Sequence, residues 1–200
     1  MSDTGRVEAF SDGVLAIAIT LLVLDLPVPR RHDDGSLLRE LAHEWPAFAA
    51  YVVSFLVIGI IWVNHHAVFK LIARVDRTVL FLNLLLLMFV VAIPFTTRLM
   101  SAYLTAGRDA RTAAVMYSAV MLAMGLAFGA LYLWVVHRPE LLAPTVDAIA
   151  ARRSVRRFAV GNAVYLAAIG VALVSAPLCL VFHLVIALYY CFEQTGGWRA

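Results

Sequence analysis

The sequence is poor in charge. Asp, Glu, Lys and Arg supply 14% of its 200 residues, about half of what a soluble domain carries, and Lys70 is the only lysine. Hydrophobic residues supply 63%. A core of this size cannot hide that excess, because surface scales too steeply with mass. Lipid is the solvent that accepts it. The formal net charge of +3 comes from scattered arginines, which argues against nucleic acid as a partner.

Cysteine is scarce as well. Cys179 and Cys191 lie in or near the last apolar segment without CxxC spacing, so no disulfide framework is expected and both read as packing residues. No GxSxG, HExxH or catalytically spaced carboxylate pair occurs, which excludes the familiar hydrolase and metalloprotease chemistries. Thr-Val-Gly-Tyr-Gly is missing, so no carbonyl-lined filter of the usual potassium-channel kind is encoded. No inverted repeat or pair of broken helices speaks for a secondary transporter. A cleavable signal peptide is not expected either, since Arg6 is flanked by Asp3 and Glu8 and no small-x-small site follows a short apolar region.

Long apolar runs fill the chain. A span needs about 20 mostly apolar residues to cross a hydrocarbon core of about 30 Å. Six segments qualify: 7–26, 45–64, 79–97, 113–136, 158–175 and 177–192. The first stops at Pro27-Val28-Pro29, and Trp45-Pro46 suits an interfacial helix start. The last two are short and separated only by Ala176-Pro177. The expected architecture is an all-α integral membrane protein, one six-helix domain over 1–200. With the N-terminus inside, ten basic residues fall on the inner side and six on the outer, so both termini are read as cytoplasmic. Residues 139–157 form the longest inner loop, basic and alanine-rich. It reads as a solvated connector in preference to an amphipathic helix on the inner leaflet.

The first segment departs from the rest. It opens Arg6-Val-Glu-Ala-Phe10-Ser11-Asp12-Gly13, placing a carboxylate a turn or two inside the bilayer. Such a group costs several kcal/mol without partners and is a functional candidate by default. Helical phase divides the segment. At about 100° per residue, Arg6, Phe10, Gly13, Ile17, Thr20, Leu21 and Leu24 lie within roughly 60° of one line, and Asp12 lies roughly 140° away. Asp12 therefore looks into its own subunit and the stripe is free to line something. Residues at similar depth nominate a buried network of Ser11, Asp12, His65 or His66, and Asn83. A zinc site is disfavoured, because adjacent histidines diverge by about 100° on a helix and no HxxxH spacing occurs.

Arg6, Phe10, Ser11 and Asp12 with the following GlyValLeuAlaIleAlaIleThrLeuLeuValLeu, the IleTrpValAsnHisHis of 61–66 and the AlaIleProPheThrThr of 92–97 resemble the transmembrane protein 175 family of potassium channels. The resemblance covers essentially the whole chain. It implies a single-repeat, bacterial-type subunit in the plasma membrane that assembles as a homotetramer around four copies of the first helix. It also implies an apolar constriction at Ile17, further apolar rings at Leu21 and Leu24, and a hydroxyl layer at Thr20 where potassium passes transiently. No cofactor and no enzymatic activity are expected. The rival reading is a proton-coupled transporter using Asp12 and His65 as a relay. Asp25, near the outer end, either concentrates cations or snorkels to water.

Overall fold

The computed structural model describes residues 3–29 and 36–197, with side chains described for all of these but 3, 157 and 192–197. Arg30, Arg31 and Arg199, which entered the loop charges, lie outside the described residues.

Apolar runs in lipid must satisfy their own backbone, and the chain does so with helices throughout. They are α1 (Asp3–Leu24), a short α2 (Leu37–His43), α3 (Trp45–Phe69), α4 (Arg77–Tyr103), α5 (Arg108–Val136), α6 (Ala148–Val174) and α7 (Ala176–Gly197), with a 3-10 turn at Pro139–Leu141. Among the described residues, α1, α3, α4, α5 and α6 are long and apolar enough to cross a bilayer, and Ala176–Cys191 of α7 is a shorter apolar stretch. The chain is thus a multi-pass membrane protein.

Local chemistry sets the ends. Pro46 opens α3, where its missing N–H costs nothing. Asp76 caps α4 by accepting the Val79 amide at 2.7 Å, and Asp147 caps α6 through Ile149 and Ala150. The α4–α5 turn passes through Gly107 at φ +64°, a conformation that suits glycine. Ser175 alone, in an extended conformation, divides α6 from α7, so the break falls just before Ala176-Pro177 and the two helices fold back on each other.

Residues 139–157 correct the sequence reading. Only their first half, 139–147, connects α5 to α6, since α6 begins at Ala148 and carries Arg152, Arg153 and Arg156 in its first turns. The helix simply continues beyond its apolar stretch, and hydropathy alone mistakes that overhang for a loop. Ahead of it, Leu142 bridges Ile72, and the Ala73 amide donates to Leu141 while Ala143 donates to Leu71.

α1 packs on α3 and α4, α4 on α5, and α5 on α6, while α7 closes against α3, α5 and α6. The start of α1, the α3–α4 turn and the α5–α6 connection share one rim. Thr4 donates to Ala73 there at 3.3 Å, and Trp134 donates to Asp76 at 3.0 Å. Lys70, Arg74, Arg77, Arg138 and, from the first turns of α6, Arg152, Arg153 and Arg156 belong to this basic rim. At the opposite rim, Asp25 meets Arg98 at 3.5 Å.

Lipid offers helices little hydrophobic drive toward one another, so packing and interhelical hydrogen bonds hold the bundle. In its middle, Thr97 gives its only hydroxyl proton to the Ile93 carbonyl at 2.8 Å. It must then accept from Ser54 at 2.7 Å, and Ser54 in turn accepts from Tyr117 at 2.9 Å. The chain ties α5 through α3 to α4 one turn after Pro94, which interrupts the α4 ladder.

Candidate functional site: the first helix and its clamp

α1 is two-faced. Ser11, Leu15, Ala18 and Leu22 recur at helical spacing and are at most 2% exposed, which beds the helix on α3 and α4. The other face is bare. Phe10 is 55% exposed, Ile17 58%, Leu21 42% and Leu24 76%, and Arg6, Gly13 and Thr20 are exposed beside them. In a bilayer such a stripe faces lipid, another helix or a pore, and other spans also carry exposed apolar residues such as Phe95 on α4 and Leu166 on α6. Within the α1 stripe, the Thr20 hydroxyl donates back to the Ala16 and Ile17 carbonyls, both at 2.9 Å. Its proton is spent on its own helix, and its oxygen lone pairs are what the stripe presents.

Three ties fix the rotation of α1. The innermost is a directional chain. His65 Nε2 lies 2.9 Å from Asn83 Oδ1 and must donate, because an amide oxygen only accepts. Asn83 Nδ2 donates to Ser11 Oγ at 2.9 Å, and Ser11 donates to the Val7 carbonyl at 2.9 Å. His65, Asn83 and Ser11 are at most 1% exposed. Stacking on Phe69, with ring centroids 4.2 Å apart, holds the His65 plane.

The other two ties lie side by side at the α1–α3 seam. Trp62 Nε1 donates to Asp12 Oδ1 at 3.0 Å, and His66 Nδ1 meets Glu8 Oε1 at 2.6 Å. Glu8 and Asp12 are four residues apart, as are Trp62 and His66, so two antiparallel helices present matching rows one turn apart. The nominated network is thus split. Ser11, His65 and Asn83 come together, His66 pairs elsewhere, and Asp12 bonds neither histidine nor Asn83. Trp62 and Glu8 escaped the sequence reading. An indole looks apolar in a hydropathy scan although it carries a donor, and the matched four-residue spacing was the available signal.

At the far end, Arg98 is 72% exposed and its Asp25 partner 28%. Cys179 and Cys191 are free thiols, and buried Cys179 packs 3.3 Å from Ser118. Among the described residues, no group of three or more His, Cys, Asp or Glu side chains is placed to hold a metal.

Comparison with known proteins gives this geometry a context. A family model described as endosomal/lysosomal potassium channel TMEM175 matches residues 6–94. A protein of Streptomyces collinus named as a potassium channel is 55% identical over 194 residues, 97% of this chain and 94% of the relative. Another so named, from Chamaesiphon minutus, is 39% identical across 98% of this chain and 97% of its own. The crystal structure of a lysosomal potassium-selective channel TMEM175 homolog from Chamaesiphon minutus superposes with a TM-score of 0.87 at 36% identity, covering 96% of this chain and 98% of that one.

Proposed function

The chain belongs to the TMEM175 family of potassium channels, and on that premise we propose that it conducts potassium passively through a pore lined by α1. The subunit is read as one of four identical copies in the plasma membrane, with both termini cytoplasmic and the basic rim inside. It is a channel and no enzyme, and it needs potassium as permeant but no cofactor.

One observation carries the reading: the bare stripe of α1, with Ile17, Thr20, Leu21 and Leu24 on one side of a helix that Ser11, Asp12 and Glu8 clamp from the other. Four Ile17 side chains around an axis make an ion shed part of its hydration shell. Sodium holds water more tightly than potassium, so the same ring penalises sodium more. Thr20 oxygens, their protons already donated to α1, offer replacement ligands. Narrowing at Ile17, Leu21 or Leu24 expels water and stops conduction, which is gating by dewetting. Selectivity from such a device is modest.

The test is flux. Protein reconstituted in liposomes should pass potassium faster than sodium without a proton gradient. A confirmed tetramer that passes neither cation would sink the channel reading. Flux of potassium that stops when the proton gradient is collapsed would favour a proton-coupled carrier.

A further inference from the structure

Behind the clamp, α3 turns a second face. Ile60, Asn64 and Val68 repeat every four residues on the side of the helix away from Trp62 and His66, and they form one wall of a half-open cavity of about 480 Å³. The volume falls within the roughly 300–1,000 Å³ range of small-molecule sites. α5, α6 and α7 supply the other walls, and Thr145, Val146 and Asp147, just ahead of α6, line the end at the basic rim.

Charge at that end is negative. Among the described lining residues, Asp147 is the only charged one. Its Oδ1 accepts the Ile149 and Ala150 amides at 2.8 and 3.3 Å, which leaves Oδ2 and the carboxylate charge for a further donor. No lysine or arginine among the described residues forms an ion pair with it. The arginines of the rim are turned elsewhere. Ala150, Ser154, Phe158, Asn162 and Tyr165 mark the lined face of α6, and at about 100° per residue Arg152, Arg153 and Arg156 leave the helix roughly 120° or more from its centre. Arg152 donates from Nε to the Val136 carbonyl at 3.0 Å, and the Arg138 guanidinium lies over the Trp134 ring, 3.6 Å from its centroid.

Beyond the carboxylate the wall is aromatic. The Tyr132 hydroxyl donates to the Ala151 carbonyl at 2.9 Å, one turn of α6 past Asp147. Phe158 stacks on Tyr132 with ring centroids 4.5 Å apart and meets Phe128 edge-on at 5.4 Å. Tyr165 of α6 and Tyr190 of α7 continue the lining. Ring surfaces of this kind take up a hydrocarbon body, and their faces attract cations and repel anions. From Ala150 to Tyr165 the lined stretch of α6 runs about 22 Å at 1.5 Å per residue, so an extended chain fits along it.

We propose that this cavity binds a long-chain primary amine, its ammonium paired with Asp147 and its hydrocarbon body laid along Tyr132, Phe158 and Phe128.

Three probes with one chain length and different heads test it: dodecylamine, dodecanol and laurate, each titrated against delipidated protein in a neutral detergent and read by native mass spectrometry. Wild-type protein should take one dodecylamine per chain, about tenfold more tightly than dodecanol, with laurate the weakest of the three. Asp147→Asn keeps a side chain that caps α6 equally well, and it should bring dodecylamine down to the level of dodecanol. Ser154→Phe and Ala150→Trp each fill the cavity near Asp147, and a folded variant should lose about tenfold in dodecylamine affinity. If any one variant misfolds, the ranking of the three probes and the remaining variants still decide. Dodecanol or laurate binding as tightly as dodecylamine, an undiminished preference for the amine in Asp147→Asn, or undiminished binding to the filled variants overturns the proposal.

Discussion

The carboxylate of Asp12 takes its hydrogen bond from the indole of Trp62, 3.0 Å away, while the neighbouring histidines bond to Asn83 and Glu8. Asp12 is therefore a rung of the α1–α3 seam. Asp12→Leu and Trp62→Phe should each destabilise the subunit by about 1 kcal/mol, the scale of an interhelical hydrogen bond in a membrane. The double variant should cost little more than either alone, because both remove the same bond. Asp12→Asn keeps an acceptor and should cost less than Asp12→Leu. Thermal unfolding in detergent reads all four.

The buried chain should be more sensitive than the exposed seam. Asn83→Leu strands the His65 Nε2 proton and removes the donor to Ser11, so about 2–3 kcal/mol is expected. His66→Ala, which breaks a pair whose side chains are 46% and 25% exposed, should cost no more than about 1 kcal/mol. Equal losses from the two variants would contradict this ranking.

Ile17→Asn places a polar side chain on the bare stripe. Potassium flux through reconstituted protein should rise and discrimination against sodium should fall, because a polar ring no longer dewets or strips hydration as effectively. Unchanged flux and unchanged selectivity would mean that the constriction lies elsewhere.

At the opposite rim, Arg98→Gln releases Asp25 from its partner. If the α1 stripe lines the pore, the unpaired carboxylate should raise cation flux at low ionic strength. The gain should fade near 1 M salt, where the screening length shrinks to about 3 Å. Stability should change by less than about 1 kcal/mol.

Asp76 gives a pH dependence. Partial burial opposes its ionisation, but the Val79 amide, the Trp134 indole and Arg138 together hold its carboxyl below the usual carboxylate range. With the folded pKa depressed, the unfolded chain binds more protons in the acidic window, so the stabilisation is full above the ordinary carboxylate pKa and is lost as pH falls through the folded one. Asp76→Asn should flatten that acid limb in a series of melting curves. An identical limb in the variant would assign it to other carboxylates.

Much of the membrane architecture is legible from hydropathy, because a span about 20 residues long is a requirement of the bilayer and needs no knowledge of neighbours. The bare stripe of α1 follows from phase alone, since 3.6 residues per turn fixes which side chains share a face. Depth also nominates Ser11, His65 and Asn83 for one another. Hydropathy fails at 148–157, where a helix outruns its apolar stretch, and at Trp62, whose ring hides a donor.

The sequence by itself therefore determined that the chain lives in lipid, that α1 differs from the other spans, and which of its faces stays bare. Tertiary structure decided which partner each polar group takes. Asp12 pairs with Trp62, Glu8 with His66 and Ser11 with Asn83 because hydrogen bonds are settled within about 3 Å, a precision that depth in a bilayer does not supply. It also decided that α3, α5, α6 and α7 leave a cavity behind the clamp, since a void depends on how helices from distant parts of the chain pack.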